Sequence, residues 1–207
     1  MKKTFLSVFS GLMMICMALM ILPITAQAAE DPVSILQSIA DQMIASLKAN
    51  KTTLKENPSL VYSLANRIIV PHADLDEMSR RVLPPQTWNN ATPGQRAEFE
   101  REFTTLLVRT YASALAEYKD QTIQFFPVRG GYQGKSTVKV NSKIIRSDGP
   151  SISVNYSLIS RGSGWRLYDM TVEGVSMLQS FRSQFSDQLA KGNMEGLIAT
   201  LKQHNRR

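Results

Sequence analysis

The stretch "TVKVNSKIIRSDGPSISVNYSLISRGSGWRLYDMTVEGVSMLQSF", residues 137–181, decides the fold. Its apolar residues recur every second position. Val138, Val140 and Ile144 share one parity, as do Ile152, Val154, Tyr156 and Leu158. The intervening positions read Thr137, Lys139, Asn141, Lys143 and Ser151, Ser153, Asn155, Ser157. This is the pattern of strands with one apolar and one wet face. Asp148-Gly149 and Arg161-Gly162-Ser163-Gly164 are hairpin turns, so the strands are antiparallel neighbours. After Val172 the period changes. Leu178, Phe181, Phe185 and Leu189 make a helical stripe, opened by the capping box Ser176–Gln179. With Gln121–Val128 ahead of it, the segment predicts four strands: Gln121–Val128, Lys135–Ser147, Ser151–Arg161 and Gly164–Glu173.

Upstream the signals are helical. Asp31-Pro32 caps and starts a helix whose face carries Leu36, Ile39, Met43 and Leu47. A second helix follows Asn57-Pro58 and ends at Pro71. A short one spans Asp74–Leu83 before Pro84-Pro85. Thr92-Pro93-Gly94-Gln95 opens a long helix to about Tyr118, with Phe99, Phe103, Leu106, Leu107, Tyr111, Leu115 and Tyr118 on one face. Downstream, Gly192 ends a helix and Asn193 caps a last one carrying Leu197, Ile198 and Leu201. The class is α+β. N-terminal helices and a long helix pack on a twisted four-stranded antiparallel sheet, C-terminal helices follow, and a cavity lies between the layers.

Lys2-Lys3, an apolar run to Ile24, Pro23 and Ala26-Gln27-Ala28 have the layout of a secretory leader. Residues 1–28 are therefore expected to be a cleaved signal peptide, and 29–207 a single domain. The only cysteine, Cys16, would leave with the leader, so no disulfide is expected. The chain carries a net charge of +7. Its cations are scattered and not interleaved with aromatic residues, which argues against a nucleic-acid partner.

Catalytic equipment is sparse. His72 and His204 are the only histidines, and no zinc or calcium motif is present, so no metal site is expected. No G-x-S-x-G elbow or phosphate-binding glycine loop occurs, and no motif supplies His72 with triad partners. Asp169 and Glu173 remain. Four apart on a strand, they would sit about 13 Å from each other, wider than a glycosidase pair. Asp169, Glu173, Gly174 and Ser176 read as a strand-to-helix joint, with negative charge beside a helix N-terminus. The alternative is a small-ligand enzyme of the curved-sheet, isomerase-like kind with Asp169 or Glu173 as general base. Against that sparse equipment stands a large apolar inventory, including Trp88, Phe125, Phe126 and Met170. Part of it would surround a ligand cavity.

"GWRLYDMTVEGVSMLQSFRSQF" (164–185) with "KGNMEGLIATLK" (191–202) resembles the signature end of the MlaC family, the toluene-tolerance or auxiliary organic-solvent-tolerance proteins. "IIVPHADLDEMSRRVL" (68–83) and "TWNNATPGQRAEFEREFTTLLVRTYASALAEYKDQTI" (87–123) match the same family in order. One departure is Leu83-Pro84-Pro85-Gln86, where the family commonly has a glycine-containing turn. The resemblance implies a non-enzymatic periplasmic phospholipid carrier that maintains outer-membrane lipid asymmetry. It implies partners in an inner-membrane MCE-domain ABC transporter and an outer-membrane lipoprotein–porin complex. No cofactor is implied; bound phospholipid is cargo. Candidate lining residues are Leu107, Tyr111, Leu115, Val138, Val140, Val154, Tyr156, Leu158, Trp165, Leu167, Met170, Val172, Met177 and Phe181. The last strand contributes both parities, because alternation alone does not say which faces lipid. Val140→Glu is expected to abolish lipid co-purification and spare the fold.

Overall fold

A computed structural model describes residues 30–162 and 164–206. The expected leader, residues 1–28, lies outside the described residues. Helix α1 (Pro32–Ala49) is capped by Asp31, whose carboxylate accepts from the Val33 amide. Helices α2 (Lys51–Glu56) and α3 (Leu60–Ile68) follow, and Pro71 sits in a 3-10 turn, Val70–His72, that closes this run. Then come α4 (Leu75–Val82), α5 (Pro85–Asn90) and α6 (Pro93–Ala116). The sheet comprises β1 (Thr122–Phe125), β2 (Thr137–Ile145), β3 (Ile152–Arg161), β4 (Gly164–Val172) and β5 (Val175–Ser176). Helices α7 (Met177–Leu189) and α8 (Met194–Asn205) end the described chain.

The sheet is an antiparallel meander in the order β1-β2-β3-β4-β5. It has five strands, one more than alternation predicts. Glu173 and Gly174 have φ of 47° and 85°. Positive φ at both central residues makes a two-residue turn whose twist matches a hairpin, so Val175-Ser176 folds back onto Thr171-Val172. A two-residue strand carries too little alternation to be read from sequence. Helices α2 and α5 are further additions. Pro85 does not merely stop a helix; it occupies the first position of α5, where its missing N–H costs nothing.

Helix α6 spans 24 residues, about 36 Å at 1.5 Å per residue. Its capping box is complete: the Thr92 hydroxyl accepts from the Gln95 amide at 3.2 Å, and the Gln95 side chain accepts from the Thr92 amide at 2.8 Å. Its closest backbone neighbours are α3, α4 and α8, while the sheet meets α1, α4 and α7.

Three apolar clusters hold the molecule together. The first joins α4 to α8 around Phe99, Phe103, Phe181 and Phe185, with ring centroids 5.5–5.8 Å apart. The second joins α1, α3 and the C-terminal half of α6. The third clamps the start of α1 on β2, β3 and β4 through Ile35, Leu36, Val138, Val140, Leu158 and Trp165.

A polar joint ties α4 to the β3–β4 hairpin. Glu77 is only 4% exposed, yet its carboxylate accepts from Arg80 at 2.7 Å, Arg81 at 2.6 Å and Arg161 at 3.4 Å. Burial alone would push Glu77 up; the hydrogen bonds and charges of Arg80 and Arg81 prevail and hold it below its ordinary value. Arg161 also donates to Asp74 at 2.5 Å, and the Arg81 guanidinium lies 4.4 Å from the centre of the Tyr168 ring. The amide of Asp74 donates to Leu167 O at 2.8 Å, covering part of the outer edge of β4.

Candidate functional site

The site follows from the register of the sheet. Cross-strand partners share a face, so Ile123 stands beside Ile144, Ile144 beside Ile152, and Val154 beside Val172. Val140 faces Tyr156, and Tyr156 faces Met170. Between β3 and β4 the pairing slips: Ser157 pairs with Asp169 but Leu158 pairs with Leu167. Tyr168 is the extra residue of a bulge. The bulge exchanges parity along β4, so Trp165 and Leu167 lie on the same face as Met170 and Val172. Both parities of the last strand therefore belong to the apolar face.

Burial divides that face in two. Val138, Val140, Leu158 and Trp165 are buried beneath α1. Ile123, Phe125, Ile144, Ile152, Tyr156, Leu167, Met170 and Val172 are half-buried. Such a row of apolar side chains, neither packed away nor left fully in water, has the character of a groove lining. The first and third clusters border it. Met170 and Tyr111 pack against the first cluster, Phe125 and Tyr156 against the third, and Ile39 against both the second and the third. Burial pushes the phenol of Tyr156 up, only partly offset by the Ser142 hydroxyl. Burial also pushes Tyr111 up, reinforced by the Asp169 carboxylate. Both are neutral hydroxyls at ordinary pH, suited to ester or phosphate oxygens in an apolar setting.

The other sequence-predicted residues fall elsewhere. Leu107, Met177 and Phe181 are buried among the helices of the first cluster. Leu115 packs half-buried against the second cluster. Val154 is buried at 2% exposure between its half-buried neighbours. Val140 is 0% exposed, which corrects the expectation for Val140→Glu. That change would place a carboxylate in the core and cost stability as well as ligand. Ile123, Phe125, Ile144 and Ile152 belong to this face but are not among the lining residues expected from the sequence, although Ile144 and Ile152 were read onto the apolar face. Their signal was present in the alternation of "TIQF" and in the apolar parity of the next two strands.

The carboxylates of the joint are occupied. Asp169 accepts from the amides of Met170 at 2.8 Å and Leu178 at 3.1 Å, and from the Ser176 hydroxyl at 2.7 Å. Ser176 in turn accepts from the Gln179 amide at 3.1 Å and caps α7. Asp169, and not Glu173, is thus the acid that meets the first turn of that helix. The exposed Glu173 carboxylate accepts from the Ser153 amide across the hairpin. Among the described residues no group of three or more His, Cys, Asp or Glu side chains is placed to hold a metal ion.

Two clefts among the described residues lie away from this row. One of about 400 Å³ lies on the wet face of the sheet, between Arg129, Asn141, Lys143, Ser153 and Asn155. The other, about 700 Å³, lies among α1, α2, α3 and the end of α6. Its floor is Leu47, Leu54, Val61, Tyr62, Leu115 and Tyr118.

Residues 37–203 match the family model described as MlaC protein. The toluene tolerance protein Ttg2D of Pseudomonas putida is 31% identical over 169 residues, covering 82% of this chain and 78% of that protein. The intermembrane phospholipid transport system binding protein MlaC of Haemophilus influenzae is 28% identical over 183 residues, covering 86% and 84%. The solved structure of a phospholipid-binding protein from Ralstonia solanacearum, in complex with a phospholipid, superimposes with a TM-score of 0.78. Its identity is 28%, covering 86% of this chain and 98% of that one.

Proposed function

The chain belongs to the MlaC family, and from that premise we propose that it is a periplasmic phospholipid carrier. It takes lipid from one membrane and hands it to the other, with its acyl chains against the half-buried row of the sheet. Its partners are an inner-membrane ABC transporter with an MCE-domain subunit and an outer-membrane lipoprotein–porin complex. The exchange maintains outer-membrane asymmetry. A cleaved leader, residues 1–28, would deliver the chain to the periplasm. Phospholipid is cargo and not a cofactor.

The observation that carries this reading is the row Ile123, Ile144, Ile152, Val172, Met170 and Tyr156. It crosses four strands and is half-buried, interrupted on β3 by the buried Val154. The energetics support it. Two acyl chains of about 30 methylenes represent roughly 25 kcal/mol at ~0.8 kcal/mol each. A carrier must return nearly all of that within its own apolar surface, or lipid stays in the bilayer. Passive binding creates no gradient, so direction comes from the partners.

The enzymatic alternative has little support. The Asp169 carboxylate is already engaged by three donors, and the exposed Glu173 carboxylate by the Ser153 amide. Gentle purification followed by organic extraction and mass spectrometry tests the carrier reading. Phospholipid near one molecule or more per chain is the expected result. An empty protein that also fails to take lipid from vesicles would overturn it.

A further inference from the structure

The 700 Å³ cleft carries a charge pattern that the apolar row does not explain. Lys48 at the end of α1, and Lys51 and Lys55 on α2, line one side of it, above the apolar floor. All three are exposed, and among the described residues none has an acidic partner within salt-bridge distance. The remaining charges on the cleft are Glu117, Lys119 and Asp120, beyond the end of α6. Lys119 is neutralised from outside: its Nζ lies 3.4 Å from the Asp148 carboxylate. Set against the carboxylates of Glu117 and Asp120, the three lysines outside any salt bridge leave the cleft net positive above its hydrophobic floor.

The position of the cleft gives the pattern meaning. Asp148 lies in the β2–β3 turn, so its pairing with Lys119 sets the cleft at the end of the sheet where that turn occurs. Ile144 pairs with Ile152 beside this turn, and Val154 pairs with Val172 next to the β4–β5 turn. The half-buried row therefore runs toward the same end of the molecule. Helix α2 itself buries no residue and makes no side-chain cap. Its lysines hold no packed core together and are available to a ligand.

We propose that Lys48, Lys51 and Lys55 bind the phosphate of an anionic phospholipid head group, and that the protein prefers net-anionic lipids over zwitterionic ones. This rests on the carrier reading and specifies its cargo. The cluster compensates one phosphate charge in either case. A zwitterionic lipid also brings its own ammonium group toward the lysines, and a net-anionic lipid does not.

The test is lipid uptake by the full chain from vesicles of phosphatidylglycerol and, separately, of phosphatidylcholine, read by mass spectrometry. Wild-type protein is expected to load phosphatidylglycerol about tenfold over phosphatidylcholine, a ratio that weakens with salt. The triple variant Lys48→Gln/Lys51→Gln/Lys55→Gln should bring the ratio close to one. A control triple, Lys139→Gln/Lys143→Gln/Lys191→Gln, removes the same charge elsewhere and should keep the preference. An unchanged ratio in the cleft variant, an equal collapse in the control, or no preference in the wild type would overturn the proposal. Wild-type protein that loads neither lipid would overturn the carrier reading along with it. All six lysines are exposed, so folding is not at stake, and circular dichroism verifies it.

Discussion

The helical cluster of α4 to α8 and the half-buried end of the sheet face use similar residues to opposite ends. In the first, Phe99, Phe103, Phe181 and Phe185 are 0–5% exposed and meet one another edge-on or stacked. In the second, Ile123, Ile144 and Ile152 are cross-strand neighbours, Val172 stands on the same face opposite Val154, and all four stay partly open. Hydrophobicity does not distinguish the two regions. Whether a facing layer completes the packing does. The first region is closed by its own rings, and the second keeps part of its apolar surface open.

That contrast breaks if scaffold changes alter ligand uptake alone, or if groove changes unfold the protein. Phe103→Ala should be the most damaging, at about 3–5 kcal/mol, because it opens a cavity among three other rings. Urea denaturation reads the loss. Glu77→Gln should cost about 2–3 kcal/mol by leaving Arg80, Arg81 and Arg161 without their buried anion, partly compensated by solvent on the arginines. Its pH dependence has a definite sign. The Glu77 carboxyl titrates lower in the folded protein than in the unfolded chain. Its contribution is therefore full above the ordinary carboxylate value and lost as pH falls through the lower folded value. Wild type and Glu77→Gln should converge in stability below that range, which melting across an acid series would show.

Asp169→Ala should cost about 1–2 kcal/mol, the usual range for a lost helix cap, since Leu178 N–H and the Ser176 hydroxyl lose their acceptor. Val172→Glu sharpens the comparison from the other side. At a half-buried position it should change stability by only about 1 kcal/mol. Extracted phospholipid should nevertheless fall at least several-fold, because a charge would sit among the acyl chains. Full lipid occupancy in that variant would mean the row does not meet the cargo.

Much of the architecture was legible because it is local. Thr92-Pro93-Gly94-Gln95 contains both halves of its cap within four residues, whereas at Ser176–Gln179 only the half from the Gln179 amide to the Ser176 hydroxyl forms. Alternation in residues 137–172 identified the strands and their apolar face. The carboxylate spacing already argued against an acid pair. The ion network around Glu77 was half visible: Glu77, Arg80 and Arg81 have helical i, i+3 and i+4 spacing. Arg161 was not, because its partnership crosses 84 residues.

By itself, then, the sequence determined the α+β class, the starts of the longer helices, the order of the first four strands and the family. Each follows from short-range periodicity or from a run of characteristic residues. Only the tertiary structure decided which apolar residues are core and which stay half-buried on the sheet face. Leu107 and Phe181 disappear among helices, while Ile144 and Ile152 stay partly open. The bulge at Tyr168 also belongs to the tertiary structure: it puts both parities of β4 on one face. The physical reason is that burial is a property of what lies opposite a side chain. That neighbour is set by the register and docking of distant segments, about which a residue's own period carries no information.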